Sequence, residues 1–193
     1  MSTLARSRQK AVPPPPLAAF VAQRGLRRVY VSLPGINSNE LVSMAQALVK
    51  SRRDIQVIIG QEESVNGSMV LSNRVALVDG SVSIKWLVDN IHVVVHQARD
   101  AKLLAEILQH NKPSVAVPVT ATEKHYANHL HEMDPQVHLP PVLPKSLKGH
   151  PQVFADLVTK LVAAVNTDPP SFWKHHVILE TQQAVRRTVA SIW

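Results

Sequence analysis

Five short runs of β-branched and aliphatic residues govern what this chain can fold into. They are Val29-Tyr30-Val31, Val57-Ile58-Ile59, Val75-Ala76-Leu77-Val78, Val93-Val94-Val95 and Val115-Ala116-Val117. A strand with one wet face alternates apolar and polar residues, because successive side chains point to opposite sides. A run that is apolar at every position must be covered on both faces, which is the condition of a buried parallel strand. Helical patterns lie between the runs. Residues 40–51 place Leu41, Met44, Ala45 and Leu48 on one face, and residues 99–110 do the same with Leu103, Leu104, Ile107 and Leu108. The alternation with short connections predicts an α/β fold: a doubly wound parallel sheet with helices on both faces.

The finer reading places strands over residues 28–33, 54–60, 75–78, 91–95 and 114–117, and helices over 40–51, 99–110 and 123–133. Ser38 or Asn39 is the expected cap of the first of these helices. A brief helix or turn is expected over 83–88, a loop over the polar stretch 61–72, and a proline-rich loop over 135–151. Two C-terminal helices are expected, over 151–166 and 171–192, separated by Asp168-Pro169-Pro170. Residues 1–16 read as a disordered, basic, proline-rich leader. Its end, Pro13-Pro14-Pro15-Pro16, favours a stiff polyproline II segment. Residues 17–193 read as one domain that opens on a short helix near 17–23, ended by Gly25.

The formal charge of +7 suggests an anionic partner until its distribution is considered. Arg6, Arg8, Lys10, Arg24, Arg27 and Arg28 all precede the first acid, Glu40, and the rest of the chain is nearly balanced. The excess therefore belongs to a basic arm and its junction. Such an arm can hold phosphate or an anionic lipid surface without sequence preference. It lacks the interleaved aromatic residues on which single-stranded nucleic acid stacks. With no cysteine there is no disulfide framework, thiolate metal site or cysteine nucleophile. No apolar run reaches the roughly 18 residues that would span a bilayer, and the N-terminus does not read as a secretory signal. A cytoplasmic protein, peripheral to membranes at most, is the expectation.

Chemistry-bearing motifs are sparse. No strand is followed by a GxGxxG or Walker pattern, and only six glycines are present. His125 and His129 share a helical face at i, i+4 spacing, but no partner ligand is evident, and no metal is assigned. His92 and His96 flank the strongest apolar run. His96 lies where that strand meets the next loop, and open α/β sheets bind ligands beyond the carboxyl ends of their strands. Glu123 opens a helix, where an acid also stabilises the helix N-terminus.

The order of segments resembles the C-terminal, donor-binding half of the GT-B glycosyltransferases, in particular the UDP-sugar-dependent group of sterol and antibiotic glycosyltransferases. Pro13 to Ala22 is similar to the proline-led helix that enters the family's second domain. Val29-Tyr30-Val31-Ser32-Leu33-Pro34-Gly35 resembles its first strand, V-Y-V-S-F-G-S. Asp89-Asn90-Ile91-His92-Val93-Val94-Val95-His96 resembles the strand ending in the signature histidine. Lys112-Pro113-Ser114-Val115-Ala116-Val117-Pro118 resembles G-V-P-x-V-x-V-P, and Tyr126-Ala127-Asn128 resembles the Y/W-A-x of the helix behind the sugar site.

The resemblance implies a Rossmann-like half of a GT-B enzyme and a UDP-sugar donor substrate, with no separate cofactor. It places His96 at the donor phosphates, Gln97, Ala98, Arg99, Asp100 and Lys102 on the phosphate loop, and Thr122 and Glu123 at the sugar. No catalytic residue is implied here, because the family's base lies in the acceptor half; an acceptor-domain polypeptide is the implied partner. Where the family continues its histidine with H-G-G-x-G, this chain has His96-Gln97-Ala98-Arg99-Asp100, with no glycine. The family's uracil-stacking tryptophan falls near Ser81, and the following Pro-His or Pro-Gln on Ser83-Ile84. Two other readings stay open: a catalytically inactive interaction module that kept the fold, and a nucleic-acid accessory protein that uses the basic arm.

Overall fold

The computed structural model describes residues 13–61 and 68–164. In chain order the elements are α1 (Pro15–Val21), β1 (Arg27–Ser32), α2 (Ser38–Ser51), β2 (Ile55–Gly60), β3 (Met69–Ser72) and β4 (Val75–Val78). They continue with α3 (Ile84–Asn90), β5 (Val93–His96), α4 (Ala101–Gln109), β6 (Ser114–Ala116), α5 (Ala121–Met133), β7 (His138–Leu139), α6 (Pro144–Leu147) and α7 (Pro151–Ala164). One seven-stranded sheet has the order β3-β4-β2-β1-β5-β6-β7. Every neighbouring pair is parallel except β3 with β4, so the expected α/β fold with a parallel sheet is present.

The apolar runs are buried on both faces, as their composition requires. Val29, Val31, Val57, Ile59, Val93 and Val95 pack against Leu41, Met44 and Leu48 of α2 and Phe154, Val158 and Leu161 of α7. The alternate residues Tyr30, Ile58, Ala76 and Val94 pack against α1, α3 and α4 through Leu17, Phe20, Leu87, Leu103 and Ile107. Each such side chain contributes about 1.5–3 kcal/mol on burial. The order of strands, not their composition, fixes the site: β1 sits in the middle, and its chain continues outward to β2 and then crosses back to β5. The connections that leave β1 and β5 therefore diverge at the carboxyl edge and open a crevice there.

Several expectations are corrected. Residues 69–72, expected in a loop, form the edge strand β3; all four are exposed, so no burial pattern announces them. The proline-rich stretch 135–151 contains β7 and the short helix α6, which starts on Pro144. Pro15 and Pro16 form the first turn of α1 instead of continuing a polyproline II segment, since a helix start needs no amide hydrogen at those positions. Asn37, not Ser38 or Asn39, caps α2, its side chain accepting from the Asn39 amide at 2.8 Å. Gly25, in the link between α1 and β1, has φ of +77°, which an L-residue rarely adopts. The first C-terminal helix is present as α7; the second, over 171–192, lies outside the described residues, as does most of the leader. Among the described residues no helix is long and apolar enough to cross a membrane.

Candidate functional site

At the carboxyl edge of β1, β2, β4 and β5 the connecting loops enclose a cavity of about 230 Å³. Its floor is polar. Tyr30 and Ser32 come from β1, Gly60 ends β2, and His96 ends β5 in register with Ser32. Its walls come from the β4–α3 loop, with Asp79, Gly80 and Val82, and from the β5–α4 loop, with Gln97, Ala98, Arg99 and Asp100. Gly60 is required by the floor: a Cβ there would collide with the Tyr30 hydroxyl. Burial pushes the Tyr30 hydroxyl up to about 12, so it stays a neutral hydrogen-bonding group at physiological pH.

His96 is 2% exposed. Its Nδ1 accepts the Ala98 amide at 3.0 Å, which leaves the proton of the neutral ring on Nε2. That Nε2 has no hydrogen-bond partner within the protein. Burial, with a smaller contribution from nearby His138, lowers the His96 pKa to about 3, so the imidazole stays neutral. His96 thus lines the cavity and carries a buried neutral donor, and such a group left unpaired costs about 1–3 kcal/mol.

Ala98 follows with φ of 64°, a left-handed conformation that costs an L-residue roughly 1–2 kcal/mol. It is buried against Ala116 and Ala127. The loop therefore keeps a glycine-type backbone without the glycine. Observed strain of this kind concentrates at ligand-binding and switch sites.

Asp100 caps α4, its carboxylate accepting the Lys102 amide at 2.9 Å and the Leu103 amide at 3.1 Å. These are the first free donors of the helix, the groups that would hold an anion at a helix N-terminus. Here the chain supplies its own anion.

The structure gathers His96, Gln97, Ala98, Arg99 and Asp100 around the cavity but separates the other sequence candidates from it. Lys102 is exposed on the first turn of α4, and Thr122 is exposed on α5. Glu123 is buried in a capping box: its carboxylate accepts the Thr120 amide at 3.1 Å, and the Thr120 hydroxyl accepts the Glu123 amide at 3.2 Å. Glu123 also accepts the Val119 amide at 2.6 Å and the Gln97 side-chain amide at 3.2 Å. Burial would raise its pKa, but these donors and the Arg99 charge outweigh burial and hold it below the usual value. Gln97 Oε1 in turn accepts the Gly35 amide at 3.2 Å. Gln97 and Glu123 thus clasp the loops after β1, β5 and β6 together.

Tyr30, Ser32, Gly60 and Asp79 also line the cavity, although no site role is expected of them from the sequence. Tyr30 and Ser32 belong to the run over residues 29–35, and Gly60 and Asp79 lie at or just past the end of a predicted strand. The Thr120-x-x-Glu123 spacing, by contrast, is a readable capping box. His92 turns to structural use, its Nδ1 accepting the Arg28 amide at 2.9 Å. His125 and His129 are exposed, and among the described residues no group of three or more metal-ligating side chains assembles.

Comparison of the fold with solved structures returns several glycosyltransferases. The spinosyn rhamnosyltransferase SpnG superposes with a TM-score of 0.56 at 14% identity, over 77% of this chain and 41% of that one. The chain has the Rossmann-like α/β fold of one half of a GT-B protein. UGT89C1 of Arabidopsis thaliana, solved with UDP-L-rhamnose, superposes with a TM-score of 0.58 at 14% identity, over 99% of this chain and 50% of that one. A putative UDP-N-acetylglucosamine 2-epimerase of Listeria monocytogenes matches with a TM-score of 0.51 at 12% identity, over 84% of this chain and 44% of that one. The chain spans about half the length, or less, of the solved structures it matches. No family model matches the sequence. No curated protein matches it either.

Proposed function

We propose that this chain is a glycosyltransferase-like donor domain. It binds a nucleotide sugar of the UDP-hexose class in the carboxyl-edge cavity. Hexosyl transfer requires an acceptor-binding half supplied by another segment or polypeptide. The observation that carries the reading is His96: a residue lining the cavity whose buried, neutral imidazole has an unpaired Nε2–H, followed by a strained left-handed Ala98. A neutral donor suits a phosphate oxygen, because it gives a hydrogen bond without the cost of burying a cation. Support also comes from the matched folds. SpnG has been solved with thymidine diphosphate and UGT89C1 with UDP-L-rhamnose.

In this reading the base rests on the apolar wall of Val82, Ile84 and Leu87, and the diphosphate lies along the 97–100 loop. Arg99, on that loop, supplies positive charge in place of glycine amides. The acceptor oxygen attacks the anomeric carbon, the carbon–phosphate oxygen bond breaks, and the nucleoside diphosphate leaves. The acceptor's proton goes to a base on the other half; no residue of this chain is given that role. Gln97 and Glu123 act as positioning residues that hold the phosphate loop against the β6–α5 loop. The proposed setting is the cytoplasm.

Calorimetric titration with UDP and UDP-glucose tests the proposal. Saturable heat is the expected result. Its absence at millimolar nucleotide, with and without an acceptor-half polypeptide, would refute it.

One observation favours a second reading, a non-catalytic interaction module on the same scaffold. Asp100 already occupies the helix amides that a phosphate would use. That reading predicts no nucleotide binding even when the Asp100 charge is removed, and capture of a protein partner instead.

A further inference from the structure

The amino edge of the sheet, opposite the cavity, concentrates positive charge. Lys50 and Arg52 end α2, Arg53 precedes β2, Arg74 precedes β4, and Arg24 and Arg27 lead into β1. Backbone contacts draw these segments together: the Arg27 amide donates to the Asp54 carbonyl at 2.7 Å, and the Arg74 guanidinium donates to the Arg52 carbonyl at 2.9 Å. Asp54 is the acid set among them, already paired with Arg52 at 2.8 Å. Arg24 and Arg53 are exposed. The basic residues Arg6, Arg8 and Lys10 precede α1 in sequence, and the carbonyl at the end of α1 accepts from Arg28 at 2.9 Å.

Beside this rim runs the edge strand β3, whose Met69, Val70 and Leu71 are 44%, 37% and 37% exposed. Its Ser72 end lies at the rim, where the Ser72 hydroxyl accepts the Arg74 amide at 3.3 Å. Among the described residues the exposed large apolar side chains include no aromatic, so the rim offers nothing for bases to stack on. Clustered arginines beside solvent-facing aliphatic side chains match the chemistry of an anionic bilayer surface, where cations meet headgroups and aliphatic groups enter the interface.

We propose that the amino edge docks this domain on an anionic lipid surface, through the Arg24–Arg53–Arg74 rim and the β3 side chains. The surface lies at the opposite end of the strands from the cavity. Docking therefore leaves the cavity open to water and to an acceptor half, and it does not depend on nucleotide binding.

Co-sedimentation of the full chain with vesicles of phosphatidylcholine, alone or mixed with phosphatidylserine, tests the proposal. Binding is expected only to the mixed vesicles and should weaken as salt is raised. Arg24→Gln with Arg53→Gln should weaken it about tenfold to thirtyfold, since each neutralised cation near a charged bilayer contributes separately. Met69→Ser with Leu71→Ser should weaken it several-fold. Both pairs are exposed, and unchanged melting curves confirm that the variants fold. Removal of residues 1–12 should leave dependence on the rim intact. The proposal is overturned if anionic vesicles do not bind, or if binding ignores the rim and is lost only with residues 1–12. It is equally overturned if the chain prefers an oligonucleotide to anionic vesicles at equal salt.

Discussion

The two edges of the one sheet use their polar groups in opposite ways. At the amino edge, long side chains are stitched onto backbone carbonyls. Arg28 donates to the Asn90 and Val21 carbonyls, Lys112 Nζ donates to the Ile91 carbonyl at 2.8 Å, and Gln56 donates to the Phe20 carbonyl at 3.1 Å. Among the described residues Gln56 Oε1, Glu106 Oε2 and His110 Nε2 are buried there without a hydrogen-bond partner, the last two lying 3.2 Å apart. At the carboxyl edge the chain keeps a buried imidazole with an unpaired Nε2, a left-handed alanine and a polar cavity floor. One edge is built for stability at the places where strands enter. The other carries cost that the rest of the fold supports, as functional sites commonly do.

Acid separates the two edges and should give the largest effect. His96, His92 and His138 have pKa values lowered to about 3, about 4 and about 4 from 6.5, in each case chiefly by burial. The unfolded chain therefore binds more protons below pH 6.5. The stability these groups provide is complete above that pH and falls as pH drops toward the folded values. Denaturant midpoints measured from neutral pH to about pH 4 should decline with a slope nearing about 1.4 kcal/mol per pH unit for each proton taken up. His96→Gln should flatten that decline more than His92→Gln, because His92 is only half-buried and its charge is better solvated. Equal flattening would erase the contrast between the edges.

Arg28→Met tests the stitched edge. It strands the Asn90 and Val21 carbonyls and should cost about 3 kcal/mol, read as a lower melting temperature. Gly60→Ala tests the cavity floor. The added methyl meets the Tyr30 hydroxyl and should cost about 1–3 kcal/mol. Ala98→Gly carries the smallest effect. Relief of left-handed strain should nearly offset the loss of one buried methyl and the added chain entropy, leaving stability within about 0.5 kcal/mol of the unaltered chain. A loss of about 1.5 kcal/mol or more on that change would show that the loop is not strained.

The buried half of this fold was legible because burial writes itself into composition. Val57-Ile58-Ile59 and Val93-Val94-Val95 can only be covered strands, and Leu41, Met44, Ala45 and Leu48 mark the inward face of α2. The exposed and proline-led elements were not legible. Strand β3 exists through its pairing with β4 and buries none of its residues, so periodicity had nothing to register. Helix α6 starts on a proline inside a proline-rich stretch, where the same residues signal a loop.

The site divided in the same way. His96, which lines the cavity, stands out in the sequence by its place at the end of a buried strand, and the collinear resemblance points to the loop that follows. That Ala98 keeps the left-handed backbone, that Asp100 turns its carboxylate onto the amides of α4, and that Glu123 closes a capping box are conformational facts. No single residue type announces the first two. The third was readable from Thr120-x-x-Glu123 and competes directly with a sugar-binding role for Glu123.

On the proposed reading, the carboxyl-edge cavity is a nucleotide-sugar site weakened by the chain's own carboxylate at the start of α4. Titration of UDP-glucose into the unaltered chain and into Asp100→Ser tests it most directly, because serine keeps the cap and removes the charge. The account predicts about tenfold tighter binding by the variant, equivalent to about 1.4 kcal/mol. Absence of binding by both proteins would contradict it.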